Sequence, residues 1–336
     1  MAIKIDDVAK AAGVSKATVS RVINNSPLIT PDTSEKVRRV MRELEYIPSR
    51  IARGFSNKST YNIALIIDVN NADAFVNPYF YQIQYGIEKV ICNLDYNLII
   101  ANEKTAKNKE TALSRIILEK RADGIIFPAF LLKKSIVRKM EEENIPFVVL
   151  GEPNPGFNVN WVDINNKMAG NIAAAHVVEN GYKRIAFLAG NFNDKFNINR
   201  YNGYKEILKS NNMKFDELFM KDVNTKNDGY TAAQKLMDME NPPDAMIFTS
   251  NISAFGAIQA LKAKGISIPA EVGVVSFDSY GFAELSDPMI TTVDINVQEL
   301  GVQAAMMLYK EIEISSSSKQ TSLLSVNIIK RGSAER

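Results

Sequence analysis

Seven short apolar runs recur between residues 62 and 278, and longer segments of helical pattern separate them. They are NIALIID (62–68), NLIIA (97–101), DGIIFPA (123–129), IPFVVLG (145–151), RIAFLAG (184–190), DAMIFTS (244–250) and VGVVSFD (272–278). Each is of strand length and rich in β-branched residues, and the alternation specifies βαβ units with parallel sheets. Seven or more such strands suit two doubly wound lobes better than one. Polar residues gather where the runs end, at Asp68, Gly151, Ser250, Asn251 and Asp278. Ligands of open α/β sheets bind outside the carboxyl ends of the strands, so the expected site is a cleft between lobes.

The first 46 residues follow a different pattern. Asp6 and Asp7 put negative charge in the first turn of a short helix. Ala11 and Ala12 carry that helix to Gly13, which can take the left-handed conformation a tight turn needs. Ser15 is a good N-cap for a second helix. On that helix Lys16, Ala17, Ser20, Arg21 and Asn24 share one side, while Val19, Val22 and Ile23 share another. The apolar trio can pack inward and leave a basic, hydrogen-bonding face outward, as a recognition helix in the major groove requires. An ordinary surface helix with a solvated polar face is the alternative. Thr30-Pro31 starts a third helix, in which Val37, Val40, Met41 and Leu44 keep amphipathic spacing. Pro48 ends it.

Charge agrees with this division. Residues 1–60 hold 11 Lys and Arg against 6 Asp and Glu, whereas the whole chain carries a net +2. A basic head on a mildly acidic body points to a polyanion partner for the head alone. Cys92 is the single cysteine, which excludes an internal disulfide and a cysteine-cluster metal site. Its place in VICNL predicts a buried structural thiol. His176 is the single histidine, so no metal is expected and a structural or interface role is the default. Asp163, just after Trp161, is read as the cap of the following helix. No signal peptide and no membrane-length apolar stretch are visible, and the expected location is the cytoplasm.

Taken together, the segments DVAKAAGVSKATVSRVIN, EKVRRVMRELEYIP and RIARGF, followed by NPYF, RADGIIF, GYKRIAFLAG, RYNGY and SFDS, resemble the LacI/GalR family of transcriptional regulators over essentially the whole chain. VSFDS, TTVDINVQELG and NPYF look most like its maltose-type (MalR-like) branch in low-GC Gram-positive bacteria. The resemblance implies an α/β protein with a three-helix helix-turn-helix headpiece at 1–47 and a hinge helix at 48–60. A two-lobed core like the periplasmic sugar-binding proteins follows. Its first lobe would comprise 61–162 with 294–322, and its second 163–293 with 323–333. The implied partners are a double-stranded DNA operator, a small sugar effector and a second copy of the chain. Some relatives also use a phosphoprotein corepressor. No cofactor and no membrane are implied, and no C-terminal leucine heptads suggest a tetramer.

By matching positions, Lys16, Ala17 and Arg21 take the family's base-reading places, with Arg21 best suited to a bidentate guanine contact. Thr18, Ser20, Asn24 and Asn25 are better suited to phosphates and register, and Ser15 is counted among the DNA contacts. Arg50, Arg53 and Phe55 fall on the hinge, where Phe55 stands in the place of a minor-groove wedge that is usually leucine. Gly54 disfavours so short a helix, and the hinge is expected to be disordered without DNA. The family's ligand positions map to Asn77, Phe80, Tyr81 and Gly151, then to Arg200, Ser250, Asn251, Asp278 and Asn296. A guanidinium, a carboxylate and an aromatic ring together suit a sugar. Ile295 stands where many relatives have glutamine, a loss that Asn296 could offset. Tyr79, Phe80, Tyr81 and Tyr85 fit either a ligand longer than one ring or a dimer interface.

Other function classes fare worse. No Gly-x-Gly-x-x-Gly follows the first strand, and neither a GK[ST] phosphate loop nor a Gly-x-Ser-x-Gly elbow is present, so an enzyme is not expected. A transport-type sugar-binding protein conflicts with the basic head and the lack of a visible signal peptide.

Overall fold

The computed structural model describes residues 3–48, 59–67, 78–102, 111–215, 218–279, 281–314 and 318–336. Three helices begin the chain: α1 (Ile5–Ala12), α2 (Lys16–Ile23) and α3 (Pro31–Glu43). Each boundary has a local cause. Asp7 Oδ2 accepts the Lys4 N–H at 2.8 Å. Gly13 closes α1 at φ 64°, in the left-handed region that glycine enters without a Cβ clash. Ser15 caps α2 by accepting the Thr18 N–H, and Thr30 caps α3 ahead of Pro31. Val8, Ala9, Ala12, Val19, Val22, Val37 and Val40 form a small core between the helices.

The remaining elements run β1 (Asn62–Ile67), α4 (Pro78–Ile91), β2 (Asn97–Asn102), α5 (Ala112–Leu118), β3 (Gly124–Pro128), α6 (Lys134–Glu142), β4 (Phe147–Leu150) and β5 (Trp161–Ile164). Then come α7 (Asn166–Glu179), β6 (Ile185–Leu188), α8 (Lys195–Ser210), β7 (Phe219–Met220), α9 (Lys226–Met237), β8 (Ala245–Phe248), α10 (Asn251–Ala263) and β9 (Gly273–Phe277). The last are α11 (Phe282–Leu285), β10 (Thr291–Asp294), α12 (Val297–Ile314), β11 (Thr321–Leu324) and β12 (Asn327–Ile329). The seven apolar runs lie on β1, β2, β3, β4, β6, β8 and β9.

The strands form two six-stranded sheets, ordered β11-β5-β4-β3-β1-β2 and β12-β10-β9-β8-β6-β7. Every pairing is parallel except β10 with β12. The chain passes between the sheets after β5, after β10 and after β11. The divisions expected at 162/163, 293/294 and 322/323 lie inside β5, β10 and β11.

Helices cover the sheets in tightly crossed pairs. A Cβ on Gly170 of α7 would lie 1.9 Å from the Arg200 carbonyl oxygen of α8, and one on Gly203 of α8 would lie 2.1 Å from the Lys167 carbonyl oxygen. Gly229 of α9 and Gly256 of α10 meet in the same reciprocal way, as do Gly86 of α4 and Gly301 of α12. Each pair thus brings two backbones together where no side chain fits.

Two residues depart from expectation here. Cys92 is exposed, because α4 ends at Ile91 and the thiol falls on the turn beyond it. Asn165, not Asp163, caps α7, through a 3.0 Å bond from the Met168 N–H. His176 is buried on α7 with Nε2 3.1 Å from Glu335 Oε1. Burial lowers its pKa, an effect the Glu335 charge opposes.

Candidate DNA-reading headpiece and effector cleft

On the headpiece, Ser15, Lys16, Ala17, Arg21 and Asn25 are exposed, and Thr18, Ser20 and Asn24 are half-buried. Burial of Val19 and Val22 against α1 and α3 fixes that orientation. Ser15 and Thr18 are partly occupied by the cap, since their hydroxyls also share a 2.9 Å hydrogen bond. Lys16 Nζ lies 3.2 Å from Asp6 Oδ2 of α1. Asn25 follows α2 at φ 52°, and its Oδ1 accepts a 2.6 Å bond from Arg38. Arg50, Arg53 and Phe55 lie outside the described residues, as does Asn77.

A second polar cluster sits where strand ends from both sheets meet. Arg200, on α8, is only 4% exposed. Its Nε donates to Asn166 Oδ1 at 3.0 Å, and its Nη1 donates to the Thr249 carbonyl at 3.2 Å. The guanidinium carbon lies 4.2 Å from the Phe277 ring centroid and 5.2 Å from that of Phe196. A buried cation is tolerated here because acceptors and ring faces replace its water. Ser250 and Asn251 follow directly at the start of α10, and Asn251 Nδ2 donates to the Asp278 carbonyl at 3.3 Å. Asp278, just past β9, adopts φ 70°, which turns the chain at the strand end.

The first sheet reaches the same place through Asp163, which no cap requires. Its Oδ2 accepts the Glu152 N–H at 2.9 Å, and its Oδ1 accepts the Ile164 N–H at 2.7 Å and Asn166 Nδ2 at 3.3 Å. Burial raises the Asp163 pKa, opposed by the two backbone hydrogen bonds. Gly151, at φ 95°, turns the chain out of β4 beside this network. Glu152 also clasps α8: its Oε1 is 2.7 Å from Lys195 Nζ, and its Oε2 accepts from Asn199 at 2.8 Å. Tyr79 on α4 completes the group. Its phenol is held protonated by burial and by the charges of Asp163 and Asp278, against the opposing charge of Arg200.

The structure therefore brings Gly151, Arg200, Ser250, Asn251 and Asp278 together. Phe80 is half-buried against the core, whereas Tyr81 is exposed. Asn296 is exposed and accepts the Glu299 N–H at 3.3 Å, so it serves the start of α12. Ile295 is buried. Sequence reasoning missed Glu152, Asn166, Lys195, Phe196, Asn199, Thr249 and Phe277, because their partners are distant in the chain. The adjacency of Asn166 to Asp163 and of Thr249 to Ser250 was the available signal.

Comparison with known families decides the assignment. Residues 4–49 match "Bacterial regulatory proteins, lacI family", and residues 64–331 match "Periplasmic binding proteins and sugar binding domain of LacI family". This chain belongs to the LacI family. It is a DNA-binding transcriptional regulator with a sugar-binding core. MalR of Streptococcus pneumoniae serotype 4 is 33% identical over 95% of this chain and 96% of its own. The structure of the transcriptional regulator CelR–cellobiose complex is 28% identical, with TM-score 0.73, covering 98% of this chain and 99% of that one. The lac repressor dimer bound to operator and the anti-inducer ONPF has the same fold, with TM-score 0.80 at 23% identity and 99% coverage of both chains.

Proposed function

We propose that this LacI-family regulator is a repressor of carbohydrate-utilisation genes that binds a palindromic operator as a homodimer. Maltose or a maltodextrin entering the cleft releases it. Lys16, Ala17 and Arg21 read base edges, while Ser15, Thr18, Ser20, Asn24 and Asn25 fix register on the phosphates. Arg50, Arg53 and Phe55 extend the contact along the hinge. The observation that carries the effector half is Arg200, buried where both sheets end and pinned between Phe196 and Phe277. Such a fixed fork, with Asp278 and Asn251 beside it, suits vicinal hydroxyls. Ser250 and Gly151 border the same space, and in this reading Asn77 and Asn296 are further effector contacts.

A glucose disaccharide is supported by the CelR structure, which holds cellobiose, and by the resemblance to MalR-like regulators. Tyr79 and Phe80 supply the stacking faces. Tyr81 and Tyr85, 52% and 59% exposed, occupy the outward side of α4, and that placement suits a second copy better than a sugar.

The test is release of a fluorescent operator fragment by maltose, maltotriose, cellobiose, galactose, ribose and sucrose. Release by maltose or maltotriose alone is expected. Release by another sugar replaces the effector, and tighter binding with any of them reverses its sign. A response to none would transfer control to a protein corepressor.

A further inference from the structure

An acid at the leading edge of a DNA-reading surface opposes the approach of phosphate, whatever it adds to the first turn of its helix. Asp6 sits in the first turn of α1, and its Oδ2 is 3.2 Å from the ammonium of Lys16, the first residue of α2. The side chains are 55% and 61% exposed, so neither is buried for the fold's sake. An exposed pair of this kind contributes little to stability in water. Helix capping does not explain Asp6 either, because Asp7 is the residue that reaches back to the Lys4 N–H. Tyr46, after α3, borders the same place; its pKa is raised mainly by burial, and it also feels the charges of both Lys16 and Asp6.

A free lysine at the tip of a recognition helix would be drawn to the nearest phosphate, a contact that carries no sequence information. A carboxylate on its ammonium opposes that. The pair then offers a donor and an acceptor side by side, aimed where α2 would meet the major groove. In that groove a G·C pair presents guanine N7 and O6 as acceptors and cytosine N4 as a donor. Lysine is suited to the first two, and an aspartate to the third.

We propose that Asp6 is a specificity determinant that turns Lys16 from a phosphate binder into a base reader, the two side chains together recognising one G·C pair in each half-site. This rests on the reading of α2 as the DNA-contacting helix. Lys16 donates to guanine, and Asp6 accepts from the paired cytosine while repelling the backbone. The acid thereby lowers affinity for random DNA and raises discrimination.

The experiment first selects the operator of the full-length wild-type protein from a random duplex pool, then measures anisotropy on single-base-pair variants and on random duplex at two salt concentrations. Asp6→Asn, Asp6→Ser and Lys16→Met are compared with wild type, with melting curves to show that each is folded. The expected result is that Asp6→Asn binds random duplex severalfold more tightly and loses about tenfold in discrimination at one G·C position per half-site. Lys16→Met should lose discrimination at that same position. Unchanged discrimination in both Asp6 variants, or losses by Asp6 and Lys16 variants at different positions, would overturn the pairing. A wild-type protein that selects no sequence would instead overturn the DNA-reading assignment itself.

Discussion

Arg200 holds the cleft together as well as offering it a charge. Its Nε and Nη1 are engaged by Asn166 and the Thr249 carbonyl, and Phe277 covers its face. Truncation strands those acceptors in a buried site, so Arg200→Ala is expected to destabilise the core by about 1–3 kcal/mol. It should also abolish sugar release while leaving operator affinity unchanged at a temperature where the variant is folded. Arg200→Lys keeps the charge but loses the planar fork, and should weaken the sugar response with a smaller fall in stability. Calorimetric melting and operator anisotropy check both; an Arg200→Ala variant still released by sugar would remove the residue from the site. The resemblance marks Arg200, Asn251 and Asp278, and the structure brings their segments together. Asp163 was misread, since a carboxylate two residues before Asn165 looks like a cap. Its actual partners, Glu152 and Asn166, approach through the fold.

Among the elements, the strands with continuous apolar runs were evident in the sequence. β5, β10 and β11 were not, because WVDI, TTVD and TSLL are four residues long and mix polar with apolar side chains. They become strands by pairing with neighbours in the fold: β5 with β4 and β11, and β10 with β9 and β12. The helix pairs were equally hidden, since a glycine within a helical pattern does not announce its partner. At the α7–α8 crossing the clash would fall on the carbonyl of Arg200 itself. Gly170→Ala is therefore expected to destabilise by at least the 1–3 kcal/mol typical of overpacking. It should also weaken sugar binding, because α8 must shift. An unchanged melting temperature, read by circular dichroism, would mean that the helices separate without penalty and that their spacing does not position Arg200.

For the molecule as a whole, the sequence made the division of labour legible: a basic three-helix head ahead of two doubly wound sheets. Coupling between them was less so, because it depends on how strand ends meet rather than on any one motif. Glu152 grips Lys195 and Asn199, while Asp163 reaches Arg200 through Asn166, so the two sheets share one polar network at the cleft. A ligand seated there can act on DNA affinity only by favouring one arrangement of the lobes over another. Such coupling is reciprocal: whatever factor the sugar imposes on operator affinity, the operator must impose on sugar affinity. The most direct measurement is therefore maltose binding by titration calorimetry, with and without saturating operator duplex. Operator is expected to weaken maltose binding by the factor with which maltose weakens operator binding, in the range of about 5–150-fold. Equal maltose affinity in both titrations would contradict it.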